Sequence, residues 1–130
     1  MIVDSSALIA ILRNEPDASA IAEALQEAPF RHISAVTYVE AAVVADHDRN
    51  PLLSRRFDNL IRDAQVSVEP VTPRQAEIAR QAYRDFGKGR HKAGLNFGDC
   101  FAYALAKEMD EPLLFKGTDF ARTDVEAVKT

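Results

Sequence analysis

The stretch Ile2–Leu8 (IVDSSAL) changes from strand-forming to helix-forming residues within a few positions. Its first two residues are β-branched and favour a short strand. Asp4 and the two serines after it have side chains that cap helices, and an apolar run from Ala7 to Leu12 follows them. The pattern predicts a strand, an aspartate where that strand ends, and a helix directly after it.

The same alternation of strand and helix continues along the chain. Apolar patterning and turn residues predict further strands at Phe30–Ser34, Val66–Val68 and Pro112–Phe115, with an additional edge strand at Val125–Val128. Helical spacing predicts helices at Ala18–Glu27, at Val36–Asp46, from Pro51 onwards, at Pro73–Phe86 and from Gly98 to Met109. We therefore predict an α/β fold, with a central, mainly parallel sheet of four to five strands flanked by helices in a three-layer sandwich.

Apolar residues support two packing predictions, one for the helix that contains Ala7–Leu12 and one for the helix after Phe30–Ser34. The run from Ala7 to Leu12 is apolar on every side, whereas a helix that covers a sheet needs one apolar face. It predicts either a groove for a partner helix or tail, bordered by Leu12 and Ile61, or internal packing against the helix that holds Phe57, Leu60 and Ile61. In the later helix, the apolar stripe is predicted to be Val36, Val39, Val43 and Val44.

Length and composition limit the classes of protein that are possible. The 130 residues suffice for one compact domain, 47% of them are hydrophobic and 28% are charged, which favours a packed core over disorder. No apolar run approaches the roughly 20 residues that span a bilayer, and the first residues have no secretion signal. The single cysteine, Cys100, excludes an internal disulfide and a cysteine-rich zinc site. We predict a cytoplasmic protein without membrane contact.

Four acidic residues occupy positions that converge in such a fold. Asp4 and Asp119 each follow a predicted strand, Asp99 begins a helix, and Glu40 lies in the first turns of another helix. Ligands of parallel sheets bind beyond the carboxyl ends of the strands. Clustered carboxylates repel one another unless a cation lies between them, and oxygen donors suit magnesium. The pattern predicts a divalent-metal site able to hydrolyse phosphodiesters.

The residues around these acids resemble the successive motifs of the VapC-type toxins, a family of PIN-domain ribonucleases. The resemblance lies in order along the chain, in Ile2–Leu8, Thr37–Glu40, Leu95–Cys100 and Leu113–Phe120. It implies a single PIN domain over residues 1–130 and a PIN-like sandwich. It also implies an endoribonuclease that requires Mg²⁺, with Mn²⁺ as a substitute, and that is the toxin of a type II toxin-antitoxin system. The implied partners are a VapB-like antitoxin, an RNA substrate and a second copy of the chain, in a homodimer or a toxin-antitoxin hetero-oligomer.

The resemblance also assigns roles to individual residues. Asp4, Glu40 and Asp99 match the metal-binding acids, and Asp119 matches a less uniform fourth acid. Ser6 matches a hydroxyl that supports the site. Thr118 stands where many relatives have asparagine, and its hydroxyl is expected to orient a water molecule or a phosphate.

Two side chains of a basic, glycine-rich loop are further candidates. Arg90 and Lys92 lie in a flexible connection just before the Asp99 motif, in a chain with a formal net charge of -4. They are expected either to contact the RNA backbone or to be solvated without a role. Asp124 also has two possible roles, as a fifth acid of the site or as an exposed residue of a turn.

Two other functional classes share features with this sequence. A receiver domain has a similar size and an acidic pocket, but it needs an acidic pair near its first strand and a phospho-acceptor on a middle strand, and neither is present. A non-catalytic relative that acts only by binding is the second class. The presence of all four acids argues against it.

Overall fold

The computed structural model describes residues 1–47 and 49–130. Its strands are β1 (Ile2–Val3), β2 (Arg31–Ser34), β3 (Val66–Glu69) and β4 (Leu113–Leu114). Its helices are α1 (Ser5–Leu12), α2 (Ala18–Glu27), α3 (Ala35–His47), α4 (Pro51–Asp63), α5 (Pro73–Phe86) and α6 (Phe97–Met109), with a 3-10 turn at Phe120–Arg122. Among the residues described, no helix is long and apolar enough to cross a bilayer.

The strands form one parallel sheet in the order β3-β2-β1-β4. β1 lies in the interior, where Ile2 pairs with His32 of β2 and with Leu113 of β4. The predicted edge strand at Val125–Val128 is reduced to a single bridge between Leu113 and Ala127. The predicted α/β fold with four parallel strands is confirmed.

Helices cover both faces of the sheet because successive strand residues point in opposite directions. Val3 and Leu114 belong to a hydrophobic cluster with α1, α2, α3 and α4. Ile2 and Leu113, their neighbours in sequence, belong to a second cluster with α5 and α6. The sheet is therefore the middle layer between two separate cores, as the predicted sandwich requires.

The prediction of a partner groove at Leu12 is wrong. Leu12 is 4% exposed, and α1 as a whole contacts α2, α3 and α4. Ile61 is partly buried against the same cluster. Three helices of the chain itself thus cover the sides of α1 that the sheet leaves open, which explains why this helix is apolar all round.

The predicted valine stripe of α3 is also wrong. The buried residues of α3 are Thr37, Ala41 and Ala45, whereas Val39 and Val43 are exposed. Small side chains on the inner face let α3 approach α1 and α6 closely, and this packing determines which way the helix faces. Val39 and Val43 are left on the surface, and Val36 and Val44 are half-buried.

Candidate active site

The strand order creates a crevice between the ends of β1 and β4. The chain proceeds from β1 to β2 and β3 on one side, and β4 returns to the other side of β1. A change of direction of this kind marks the ligand-binding edge of a parallel sheet. The backbone N–H of Asp4 donates to the carbonyl of Leu114 at 2.9 Å, so Asp4 lies at this edge.

The Asp4 carboxylate is buried and has one oxygen unsatisfied. Asp4 is 2% exposed and caps α1. Its Oδ2 accepts hydrogen bonds from the Ser6 backbone N–H at 3.0 Å and from Ser6 Oγ at 2.6 Å. Its Oδ1 is buried and has no hydrogen-bond partner among the described residues. Burial, opposed by the hydrogen bonds from Ser6 and aided by the charge of Glu40, raises the pKa of Asp4 to about 6.

Ser6 links this carboxylate to the segment after β4. While Ser6 Oγ donates to Asp4, it accepts a hydrogen bond from the backbone N–H of Lys116 at 3.0 Å. The predicted supporting residue therefore contacts the predicted metal ligand directly.

Glu40 enters the site from α3 between a hydroxyl and a glycine. Ser5 Oγ donates a hydrogen bond to Glu40 Oε1 at 2.8 Å. On the other side, the carboxylate lies where a Cβ of residue 98 would be, so only glycine fits there. The sequence analysis missed both Ser5 and Gly98 as site residues. A signal for Gly98 was present, since glycine is unfavourable inside a helix without a structural reason.

Asp99 is held by a capping box at the start of α6. Its Oδ2 accepts from the Asn96 backbone N–H at 3.0 Å, and Asn96 Oδ1 accepts from the Asp99 backbone N–H at 2.9 Å. The helix therefore begins at Phe97, one residue before the predicted start. Burial raises the pKa of Asp99 to about 7, with further contributions from the charges of Asp4, Glu40 and Asp119.

Asp119 and Thr118 lie at the exposed rim of the site. The side chain of Asp119 does not cap the 3-10 turn that follows it, although a capping role was the alternative to a site role. Asp124 lies apart from this group, because its carboxylate accepts from the Tyr103 hydroxyl at 2.6 Å and from Lys107 Nζ at 3.1 Å. The structure thus brings Asp4, Glu40 and Asp119 within electrostatic range of Asp99 and places Asp124 elsewhere.

The basic loop is held by its own hydrogen bonds, which differs from the expectation of a flexible connection. The backbone N–H of Lys88 donates to Leu95 at 2.9 Å, and His91 Nδ1 accepts from the Ala93 backbone N–H at 3.0 Å. Arg90 lies over the ring of Tyr83, with its guanidinium carbon 5.4 Å from the ring centroid. Arg90 and Lys92 are both exposed and precede the Asp99 segment.

Cys100 follows Asp99 but faces the core. It is buried, and burial raises the pKa of its thiol to about 11. A thiol that stays protonated at neutral pH is a poor nucleophile. The prediction that Cys100 is a core residue is confirmed.

The donor set of the site fits a hard divalent cation. The donor atoms of the four acids are oxygens, and the buried Oδ1 of Asp4 is available to a cation. Within residues 1–47 and 49–130, no group of three or more His, Cys, Asp or Glu side chains is arranged to hold a metal ion, so the acids do not form a preassembled ligand set. Magnesium suits an open arrangement, because it keeps several of its waters and often takes one or two carboxylates from the protein.

Comparison with known proteins agrees with this geometry. The family model described as PIN domain matches residues 1–126. The chain is 58% identical over 127 residues to ribonuclease VapC28 of Mycobacterium tuberculosis, covering 97% of this chain and 96% of that protein. The chain belongs to the PIN-domain family, and its predicted resemblance to VapC-type ribonucleases is confirmed.

Solved structures with low sequence identity share the fold. The crystal structure of VapC20 from Mycobacterium tuberculosis, described as a sarcin-ricin loop cleaving toxin, superposes with a TM-score of 0.76 at 16% identity and covers 99% of this chain and 98% of that chain. A toxin-antitoxin complex from Klebsiella pneumoniae gives a TM-score of 0.72 at 20% identity and covers 95% of this chain and 92% of that chain. At these identities the likeness concerns the fold.

Proposed function

We propose that this chain is the toxin of a type II toxin-antitoxin system and cleaves RNA with a divalent cation held by Asp4, Glu40 and Asp99. The observation that carries the proposal is the buried, unpartnered Oδ1 of Asp4 at the crevice between β1 and β4, with Glu40 and Asp99 within electrostatic range, in a chain of the PIN-domain family. The proposed cation is Mg²⁺, with Mn²⁺ as a substitute. Residues 1–130 would act as one unit, in the cytoplasm.

The chain's own residues prepare the site for such a cation. A hydrogen bond holds each carboxylate in place. Asp4 accepts it from Ser6, Glu40 from Ser5, and Asp99 from the backbone N–H of Asn96. A bound divalent cation would neutralise the cluster, supply a metal-activated water and stabilise charge on the phosphate. Asp119 and Thr118, at the rim, are proposed to orient a water molecule or the substrate phosphate. Arg90 and Lys92 are proposed to bind the RNA backbone.

A cleavage assay with matched variants tests the proposal. Purified protein is incubated with total RNA in Mg²⁺, in Mn²⁺ and in EDTA. Asp99→Asn is expected to abolish metal-dependent cleavage, whereas Asp58→Asn, an exposed acid on α4, is expected to retain it. Cleavage by Asp99→Asn at the parent rate would disprove the site. A parent protein without cleavage that still binds RNA or an antitoxin would instead support the non-catalytic alternative.

A VapB-like antitoxin is the proposed regulatory partner. The site is a cluster of four acids beside an exposed rim, and an inserted arginine or lysine would compete with the cation for them. Antitoxin binding and metal binding would then oppose each other. Co-purification with the product of the adjacent small reading frame, followed by metal titration of the complex, measures this competition.

A second copy of the chain is the proposed occupant of an exposed apolar surface beside the site. Val39 and Val43 flank Glu40 on α3, and Phe97 flanks Gly98, which the Glu40 carboxylate contacts. Val43 is 61% exposed and Phe97 is 74% exposed. Large exposed apolar side chains near a site are candidates for protein contacts, and a two-fold contact would cover them on both copies at once.

A further inference from the structure

Lys116 connects the active-site segment after β4 to a distant turn. Its Nζ donates a hydrogen bond to Glu15 Oε1 at 3.1 Å and lies 3.2 Å from Asp17 Oδ1. Glu15 and Asp17 belong to the short connection between α1 and α2. The backbone N–H of the same lysine donates to Ser6 Oγ at 3.0 Å. One residue therefore contacts the first turn of α1 and the connection that follows this helix.

The contact with Ser6 determines where the serine proton points. A hydroxyl group has one proton, and Ser6 Oγ already accepts from the Lys116 N–H. Its own proton is directed to Asp4 Oδ2, at 2.6 Å. This hydrogen bond occupies Oδ2 and leaves the buried Oδ1 of Asp4 for a cation.

The side-chain contacts of Lys116 keep its backbone in this position. Glu15 and Asp17 surround the ammonium group with negative charge, and about a third of the Lys116 side chain is exposed. The turn that follows contains Gly117, with a φ of 103°, and leads to Thr118 and Asp119. The lysine thus fixes the start of the segment that carries the fourth acid.

We propose that Lys116 is a positioning residue whose ion pairs with Glu15 and Asp17 orient Asp4, through Ser6, for metal binding. The inference rests on the proposed metal-dependent function and adds a residue to it. The alternative role of Lys116 is contact with an RNA phosphate. Two carboxylates already neutralise its charge, which favours positioning over phosphate binding.

Breaking the interaction from either end tests the proposal. The variants are Lys116→Met, which keeps side-chain length without charge, the double variant Glu15→Ala with Asp17→Ala, and the combination of all three changes. Lys116→Arg tests conservative rescue. Lys107→Met is the matched control, because Lys107 forms a similar pair with Asp124 away from the acids. Calorimetric titration with Mn²⁺ alone, kcat and KM for RNA cleavage, and unfolding in urea are measured for each full-length protein.

Lys116→Met and the double variant are each expected to weaken Mn²⁺ binding and to lower kcat by about tenfold, as changes to groups that orient metal ligands do. KM is expected to stay near the parent value. The variant with all three changes is expected to bind Mn²⁺ no more weakly than Lys116→Met or the double variant, because all three residues act in one interaction. Lys116→Arg is expected to recover most of the binding, and Lys107→Met to match the parent.

Three results would overturn the proposal. The first is unchanged Mn²⁺ binding in both the lysine and the double variant. The second is reduced stability in urea with unchanged Mn²⁺ affinity, which would make the contact structural only. The third is a raised KM with a flatter salt dependence in Lys116→Met alone, which would identify a phosphate contact. A parent that binds Mn²⁺ but does not cleave RNA would contradict the proposed function, while the Mn²⁺ titrations would still decide the role of Lys116.

Discussion

Gly98 lies against the carboxylate of Glu40 so closely that no Cβ fits between them. The two residues come from different helices, α6 and α3, which contact different cores of the protein. Their contact therefore joins the two halves of the acidic cluster. The nearest atoms are those of the Glu40 carboxylate itself, so a side chain at position 98 acts on the proposed metal ligand first.

Gly98→Ala is expected to displace Glu40 and to weaken both Mn²⁺ binding and RNA cleavage by roughly tenfold or more. Alanine favours the helix by about 1 kcal/mol over glycine, so the loss of function is expected without a comparable loss of stability. Titration with Mn²⁺ and urea unfolding measure the two effects. Adding Glu40→Asp, which shortens the side chain, is expected to recover part of the binding. An active Gly98→Ala protein would show that Glu40 tolerates the displacement.

Asp4→Asn is expected to stabilise the metal-free protein more at high pH than at low pH. The folded-state pKa of Asp4 is about 6, above the ordinary value of 3.8, so the folded state disfavours the charged form. As the pH rises above 3.8, ionisation of Asp4 stabilises the unfolded chain relative to the folded protein. This destabilisation of the fold grows until the folded form also ionises near pH 6. The free energy of unfolding of the variant relative to the parent is expected to rise by roughly 1 kcal/mol between pH 5 and pH 8.

Urea titrations in EDTA at pH 5 and pH 8 measure this difference. The comparison with the parent at each pH cancels the titration of other groups that the substitution leaves alone. Asp58→Asn, on an exposed surface of α4, is the control and is expected to show no pH-dependent gain. A constant difference between Asp4→Asn and the parent at both pH values would contradict a charged, buried Asp4.

Replacing Arg90 and Lys92 together with alanine is expected to weaken RNA binding and to reduce the slope of log affinity against log salt by about 1 to 2. Binding with fewer phosphate contacts releases fewer counterions from the RNA, and this makes the slope smaller. Fluorescence anisotropy with Asp99→Asn protein, in which cleavage is expected to be blocked, measures binding across a salt series. Arg55 and Arg56 on α4, both exposed, supply a double-alanine control. Equal salt slopes for the loop variant and the parent would exclude the loop from the RNA interface.

Val43→Glu is expected to convert the proposed dimer into monomers, because a carboxylate would be buried without a partner in the two-fold contact. Light scattering coupled to size exclusion measures the mass. Leu52→Glu, at another exposed apolar position on α4, is the control and is expected to leave the mass unchanged. A parent protein that is already monomeric at high concentration would refute the dimer without affecting the site.

The order of strands and helices and the positions of the four acids could be predicted from the sequence. These features depend on local information: β-branched pairs form strands, Asp4 caps a helix directly after a strand, and Asp99 follows a capping asparagine. The elements predicted in this way agree with the structure to within a residue or two at most ends.

The packing between helices could not be predicted in the same way. The sequence shows that α1 is apolar on every side. It does not show that α2, α3 and α4 pack against those sides and cover them. Similarly, Val39 and Val43 look like core residues until the smaller Thr37, Ala41 and Ala45 are found to face inwards. The contacts of Lys116 are with residues distant in sequence, and the glycine at position 98 signals a close approach without showing that Glu40 makes it.

The separation of the molecule into two cores has a consequence for how activity is lost. Asp4 and Glu40 are carried by elements of one core, whereas Asp99 begins a helix of the other. A small slip of one layer against the sheet would separate the acids while every helix remained intact. Under mild denaturation, inactivation should therefore precede the loss of helical circular dichroism, and reversal of the slip would restore an enzyme that had never unfolded.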